Sequence, residues 1–192
     1  MKYNPEIHKR RSIRLKGYDY SQAGLYFITI CVQDRECLFG NIENGEMILN
    51  DAGKMIETEW LNLNNRFSNI ELHEFIVMPN HFHGILEIVG ATLVVAQNDV
   101  NTQNKNNENE KGQPQGIAPT KTVGDMMDAF KSISTVEYIR GVKNLGWKPF
   151  DGRIWQRNYY EHIIRNEQSY QTISNYIINN PAKWQEDKFY AK

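Results

Sequence analysis

Two histidines separated by one residue, His81 and His83, open an apolar segment directly after Pro79-Asn80. Side chains alternate across a strand, so the two share a face and Phe82 takes the other. Their backbones then sit roughly 7 Å apart, and two neutral imidazoles at that spacing can converge on one metal ion. A His-x-His by itself more often marks a polar strand mouth. Its place after a Pro-Asn turn favours a site at the rim of a sheet, beside solvent and substrate. Such a site needs a third ligand, and spacing leaves the choice open among Asp51, Glu57, His73, Glu87, His162 and the last helix. That helix carries Tyr176 and Asn180, four apart and on one side. A phenol and a carboxamide there could meet a metal and a substrate phosphate together, although tyrosines on amphipathic helices usually pack.

The elements that must position these groups follow from hydrophobic period and turn chemistry. Leu25 to Gln33 has the aromatic and β-branched types of a strand. Leu38 to Ile42 and Met47 to Leu49 flank Asn44-Gly45, the strongest two-residue hairpin signal. A helix runs from a cap at Asn50 or Asp51 to about Leu63, with Met55, Ile56, Trp60 and Leu63 on one face. Ile70 to Met78 and His81 to Val89 read as paired strands. A second helix covers Thr122 to Arg140, its stripe made by Val123, Met126, Met127, Phe130, Ile133 and Ile139. Ile154 to Ile164 reads as a short last strand. Asn166 caps a final helix to about Asn180, and Pro181 stops it. The pattern predicts an α+β fold: a central antiparallel sheet with helices on one face. Residues at about 97–117 are rich in Asn and Gln and nearly free of apolar side chains, a flexible insertion within a single domain spanning 1–192.

Bulk properties narrow the classes. The 192 residues are 40% hydrophobic and 23% charged, with a net charge of −1. Any nucleic-acid footprint must therefore be local. The run from Ile7 to Lys16, with Arg10, Arg11 and Arg14, is such a place, and otherwise a solvated arm. Cys31 reads as a buried thiol, and two cysteines imply neither a disulfide framework nor a cysteine zinc site. No apolar run is long enough to cross a membrane, and the cytoplasm is the expected location.

Taken together, Tyr26-Phe27-Ile28-Thr29-Ile30, Val77-Met78-Pro79-Asn80-His81-Phe82-His83, Ala129-Phe130-Lys131-Ser132, Trp155 to Arg165 and Tyr176-Ile177-Ile178-Asn179-Asn180-Pro181 resemble the REP-associated tyrosine transposases. These are single-tyrosine members of the HUH (His-hydrophobe-His) transposases. The resemblance covers about residues 10 to 182. It implies an RRM-like or ferredoxin-like sheet, usually acting as a homodimer. It also implies Mg²⁺ or Mn²⁺ on His81 and His83, Asn180 as an amide-type third ligand, and Tyr176 as the nucleophile. Single-stranded or hairpin DNA is the implied partner, met by Arg10, Arg11, Arg14, Lys131 and Arg157. His162 could support Tyr176 as a base or by holding a neighbouring group of the site in place, and Tyr159, Tyr160 and Tyr170 are rival nucleophiles without the Asn180 partner. Two other classes compete: a non-catalytic nucleic-acid-binding module of the same fold, and a zinc hydrolase that does not need Tyr176.

Overall fold

The structure is a computed structural model that describes residues 14–90 and 121–190. Arg10, Arg11 and the Asn-rich insertion lie outside the described residues. Four strands form the main sheet: β1 (Gly24–Cys31), β4 (Ile70–Met78), β5 (His81–Ile88) and β6 (Tyr160–Ile164). Their spatial order is β4-β5-β1-β6, every neighbouring pair antiparallel. Between β1 and β4 the chain inserts a hairpin, β2 (Gly40–Glu43) and β3 (Glu46–Leu49), then α1 (Asp51–Leu61) and the single turn α2 (Leu63–Arg66). The long helix α3 (Val123–Leu145) separates β5 from β6, and α4 (Glu167–Asn179) follows. Leaving the hairpin aside, the main sheet has the β-α-β-β-α-β order of the ferredoxin-like split unit, as expected.

Local chemistry accounts for most boundaries. The β2–β3 turn places Asn44 at φ 52° and Gly45 at φ 81°, the left-handed pair that Asn-Gly supplies cheaply. Asn50 accepts from the Gly53 amide to start α1, and Asn166 accepts from that of Ser169 to start α4. Thr122 and Asp125 form a reciprocal capping box on α3.

The core differs from the expected arrangement in four ways. Helices cover both faces of the sheet, not one. Tyr26, Ile28, Ile30, Phe82 and Leu86 pack with Ile56 and Trp60 of α1 and Met126 and Phe130 of α3. On the opposite face, Phe27, Ile85 and Ile164 pack with Ile177 of α4. Second, α3 runs beyond Arg140 to Leu145, because Gly141 does not break it; a β-carbon there would collide with the Trp147 ring. Its buried stripe continues through Ser134 and Tyr138, leaving Ile139 exposed. Third, the last strand begins only at Tyr160. Upstream, Trp155 makes an isolated bridge to Val32 while its indole donates to Ser134 Oγ at 2.9 Å, so it is held by α3 and not by a ladder. Fourth, Cys31 is only partly buried.

Gly84 lets helix and sheet approach closely. A β-carbon there would lie 2.7 Å from Cζ2 of Trp60. That ring in turn sits 4.6 Å from Phe82 and 5.6 Å from Phe130, centroid to centroid. This aromatic contact presses β5 onto α1 from the face opposite the histidines.

Candidate active site

The turn Pro79-Asn80 sets the two histidines. Met78 and His81 are paired across it, so β4 passes into β5 through two residues. The segment after β1 clamps the turn: the amides of Leu38 and Phe39 donate to Pro79 O, and that of Val32 donates to Asn80 O. The Asn80 side chain donates from Nδ2 to the carbonyls of Arg35 (3.1 Å) and Phe189 (2.9 Å). Both amide hydrogens are thus committed, and Oδ1 must be the atom 2.9 Å from Nδ1 of His81. It can only accept, so His81 carries its proton on Nδ1 and keeps the Nε2 lone pair free. The His83 ring is also anchored through Nδ1, 2.8 Å from Thr29 Oγ1, a hydroxyl able to accept from it or donate to it. The rings lie 4.6 Å apart, centroid to centroid.

Neither histidine stands at a solvent rim, contrary to expectation; both are fully buried. The cover is the C-terminal segment, where α4 gives way at Pro181 to a 3-10 helix (Pro181–Glu186) followed by Asp187, Lys188 and Phe189. The Phe189 ring lies 4.7 Å from that of His81. Burial holds both imidazoles neutral. It pushes His81 down to about 4, with the Asp187 carboxylate opposing and Lys188 assisting. His83 is also held well below its ordinary value, by burial and then by His81 and Lys188.

Opposite these rings stand three groups from α4 and its extension. The Tyr176 hydroxyl is 3.2 Å from Nε2 of His83 and donates to Asp187 Oδ2 at 3.2 Å. Asn180 donates from Nδ2 to the same oxygen at 3.1 Å. Asp187 Oδ1 accepts from the Phe189 amide at 2.6 Å. Burial and the Asp187 carboxylate push the phenol of Tyr176 up to about 12. The ring nevertheless keeps 39% of its surface exposed and lines a cavity of about 740 Å³ that also reaches His83 and Asn180.

At this site two buried acceptors have no donor: Nε2 of His81 and Oδ1 of Asn180. The Asn180 amide is placed to favour a positive charge on the His81 ring. His81, His83 and Asp187 each offer one ligand atom, all within 4.8 Å of one another. Unpartnered lone pairs on groups that neighbour a carboxylate are what a cation would satisfy. Two imidazoles, an amide oxygen and a carboxylate suit a divalent transition ion, or Mg²⁺ with more oxygens from a substrate. The residues present therefore fit a metal.

Sequence reasoning brought forward His81, His83, Tyr176 and Asn180, and the fold gathers all four in one chain. It missed Asp187. The signal was weak: an acidic residue within Gln-Glu-Asp-Lys reads as a solvated charge. The other ligand candidates are elsewhere. His73 and Glu87 pair with each other at 2.9 Å, near Glu71 on the far part of the same sheet face. Asp51 pairs with Lys54 at the start of α1, and Glu57 lines a separate hollow with Met47 and Phe75. His162 lines a hollow with Asn166 and Gln168; the proton acceptors beside Tyr176 are His83 and Asp187. Of the rival tyrosines, Tyr159 accepts from Arg14 at 2.7 Å and Tyr170 donates to Glu74 at 2.9 Å, while Tyr160 is half exposed. Arg14 also pairs with the buried Glu161 at 3.8 Å. Lys131 donates to the carbonyls of Gln156 and Arg157. No helix among the described residues is long and apolar enough to cross a membrane.

The chain matches no protein-family model. An uncharacterized protein of Haemophilus influenzae (strain ATCC 51907 / DSM 11121 / KW20 / Rd) is 43% identical to it over 191 residues, 99% of this chain and 98% of that one. Among solved structures, the REP-associated tyrosine transposase bound to a REP hairpin aligns at a TM-score of 0.48 and 19% identity, over 90% of this chain and 74% of that one. A Deinococcus radiodurans R1 protein provisionally classed as a transposase aligns at 0.43 and 16%, over 88% and 97%. Structural likeness this distant decides neither activity nor partner, which must come from the site itself.

Proposed function

We propose, for a chain that belongs to the same family as the uncharacterized Haemophilus influenzae protein, that it cleaves and rejoins single-stranded DNA through a covalent link to Tyr176. One observation carries this reading: a part-exposed phenol lies 3.2 Å from a buried, neutral imidazole and opens onto a cavity wide enough for a nucleotide. The motifs that resemble the REP-associated tyrosine transposases supply the same residues, in the roles that the resemblance implies.

In the proposed step the Tyr176 oxygen forms a bond to phosphorus and the bond from phosphorus to the 3′-oxygen breaks. The phenolic proton passes to Asp187, within reach at 3.2 Å. The departing oxygen takes a proton from water and leaves as a 3′-hydroxyl, and the hydroxide so formed takes up the proton from Asp187, which returns the carboxylate to its starting state. The resulting 5′-phosphotyrosine conserves the energy for rejoining, which reverses the same transfers. With its pKa pushed up to about 12, Tyr176 is protonated at neutral pH and needs help to react. A divalent ion, Mg²⁺ or Mn²⁺, held by His81, His83, Asn180 and Asp187 would neutralise phosphate charge and favour the phenolate. Thr29 and Asn80 keep both Nε2 atoms turned toward that place. More distant DNA would meet the basic arm with Arg10, Arg11 and Arg14, together with Lys131 and Arg157. The internal partners of Arg14 and Lys131 leave them less to give than Arg157.

The test is a covalent adduct. Incubated with hairpin-bearing single-stranded DNA and Mn²⁺ or Mg²⁺, the protein should form a protein–DNA species resistant to denaturation. It should disappear in Tyr176→Phe and on chelation. An adduct that survives Tyr176→Phe refutes the nucleophile. Salt-sensitive binding without any adduct would identify a binding module, and phosphodiester turnover that persists in Tyr176→Phe would identify a hydrolase.

A further inference from the structure

The cavity beside Tyr176 continues past the reacting groups, between α4 and the edge formed by β1 and β6. It holds about 740 Å³, and a second hollow of about 480 Å³ extends it toward Asn166 and Gln168 at the start of α4. Phe27, Tyr160, Thr172 and Ile173 line both, so the Tyr160 ring stands where the two meet. Half of its surface is exposed. Phe27 meets it edge-on at 6.5 Å, and the Lys188 ammonium lies 5.8 Å from its centroid. The sheet register ties it to the active site: Thr29 is paired with His83 on one side and with Tyr160 on the other. At ~4.8 Å per strand spacing, Tyr160 is roughly 10 Å from His83 at the backbone, about the reach of one nucleotide. Charge alone would not draw a polyanion here, because Glu186 and Asp187 share the wall with Lys183 and Lys188. An exposed aromatic face offers an attraction that net charge does not cancel.

We propose that Tyr160, backed by Phe27, is the platform on which the nucleobase next to the reacting phosphate stacks. This rests on reading Tyr176 as a nucleophile toward DNA, and it names what the site accepts: a strand unpaired at that base. A base in a duplex has both faces occupied by its neighbours and cannot lie on the ring. Tyr160 would thus select single-stranded DNA beside the break without reading its sequence.

Binding of fluorescein-labelled oligo-dT of twelve residues, followed by anisotropy in chelator, measures this apart from chemistry. Tyr160→Ala should weaken binding roughly 5- to 150-fold, the usual range for losing one base–aromatic stack. Tyr160→Phe and Tyr160→Trp should stay near the unaltered protein, which excludes a folding defect at this exposed position. An abasic residue moved along the oligonucleotide should weaken the unaltered protein at one register and leave Tyr160→Ala unaffected there. Equal binding by Tyr160→Ala, or equal abasic losses in both proteins, overturns the platform. An adduct that forms in a protein whose binding ignores Tyr160 leaves the nucleophile standing without the platform. Tyr160-dependent binding with no adduct leaves the platform without the nucleophile.

Discussion

Replacing Asn80 tests whether the turn that presents His81 also sets its metal-binding nitrogen. Asn80→Ala removes two donated hydrogen bonds, to Arg35 O and Phe189 O, and the acceptor for Nδ1 of His81. The two donated bonds contribute about 1 kcal/mol each, and a buried N–H left without a partner costs about 1–3 kcal/mol. The total, about 3–5 kcal/mol, is large against a typical stability of about 5–15 kcal/mol but leaves most such domains folded in the cold. Metal affinity should fall by about 10- to 100-fold, because the ring is free to turn or to exchange its proton to Nε2. Asn80→Asp separates the two effects. It loses the same donors and the same order of stability, yet its carboxylate still accepts from Nδ1, so affinity should stay near that of the unaltered protein. The assay is Mn²⁺ titration by calorimetry or electron paramagnetic resonance, beside a urea melt of each variant. Equal affinity losses in Asn80→Ala and Asn80→Asp, at matched stability, would refute the control of His81 by its neighbour.

Two further outcomes concern stability. His81 is held down to about 4 by burial, whereas an unfolded chain titrates it near 6.5. Above about 6.5 neither state binds the proton; between there and 4 the unfolded state binds more, so stability falls as pH drops through that window, by about 3 kcal/mol at most. His83 acts in the same direction. Urea midpoints taken from pH 7.5 to 4.5 should show the decline, and His81→Gln should flatten it; an unchanged slope in that variant would contradict the assignment. Gly84→Ala sets a β-carbon 2.7 Å from the Trp60 ring and 2.9 Å from that of Phe82. Overpacking of about 1–3 kcal/mol should lower the melting temperature by about 3–10 °C, and a melting point equal to that of the unaltered protein would show that α1 withdraws freely.

Much of this protein is legible along the chain because its rules act over a few residues. Strand alternation puts His81 and His83 on one face and Phe82 on the other. Asn-Gly closes the hairpin, side-chain caps open α1, α3 and α4, and a four-residue spacing sets Tyr176 beside Asn180. None of these rules reports on distance through space. His83 and Tyr176, 93 positions apart in the chain, are brought to 3.2 Å only because α4 packs on the sheet face that α1 and α3 leave free. Sequence pattern could not choose that face, since a helix with one apolar stripe fits either. Asp187, Lys188 and Phe189 lie beyond α4, where no periodicity applies, and the folding of this segment over the histidines depends on bonds from Arg35 to Lys188 O and from Asn80 to Phe189 O, donors from the first half of the chain. That cover turns a polar strand mouth into a buried site, and burial makes both imidazoles neutral and leaves the lone pair of His81 free.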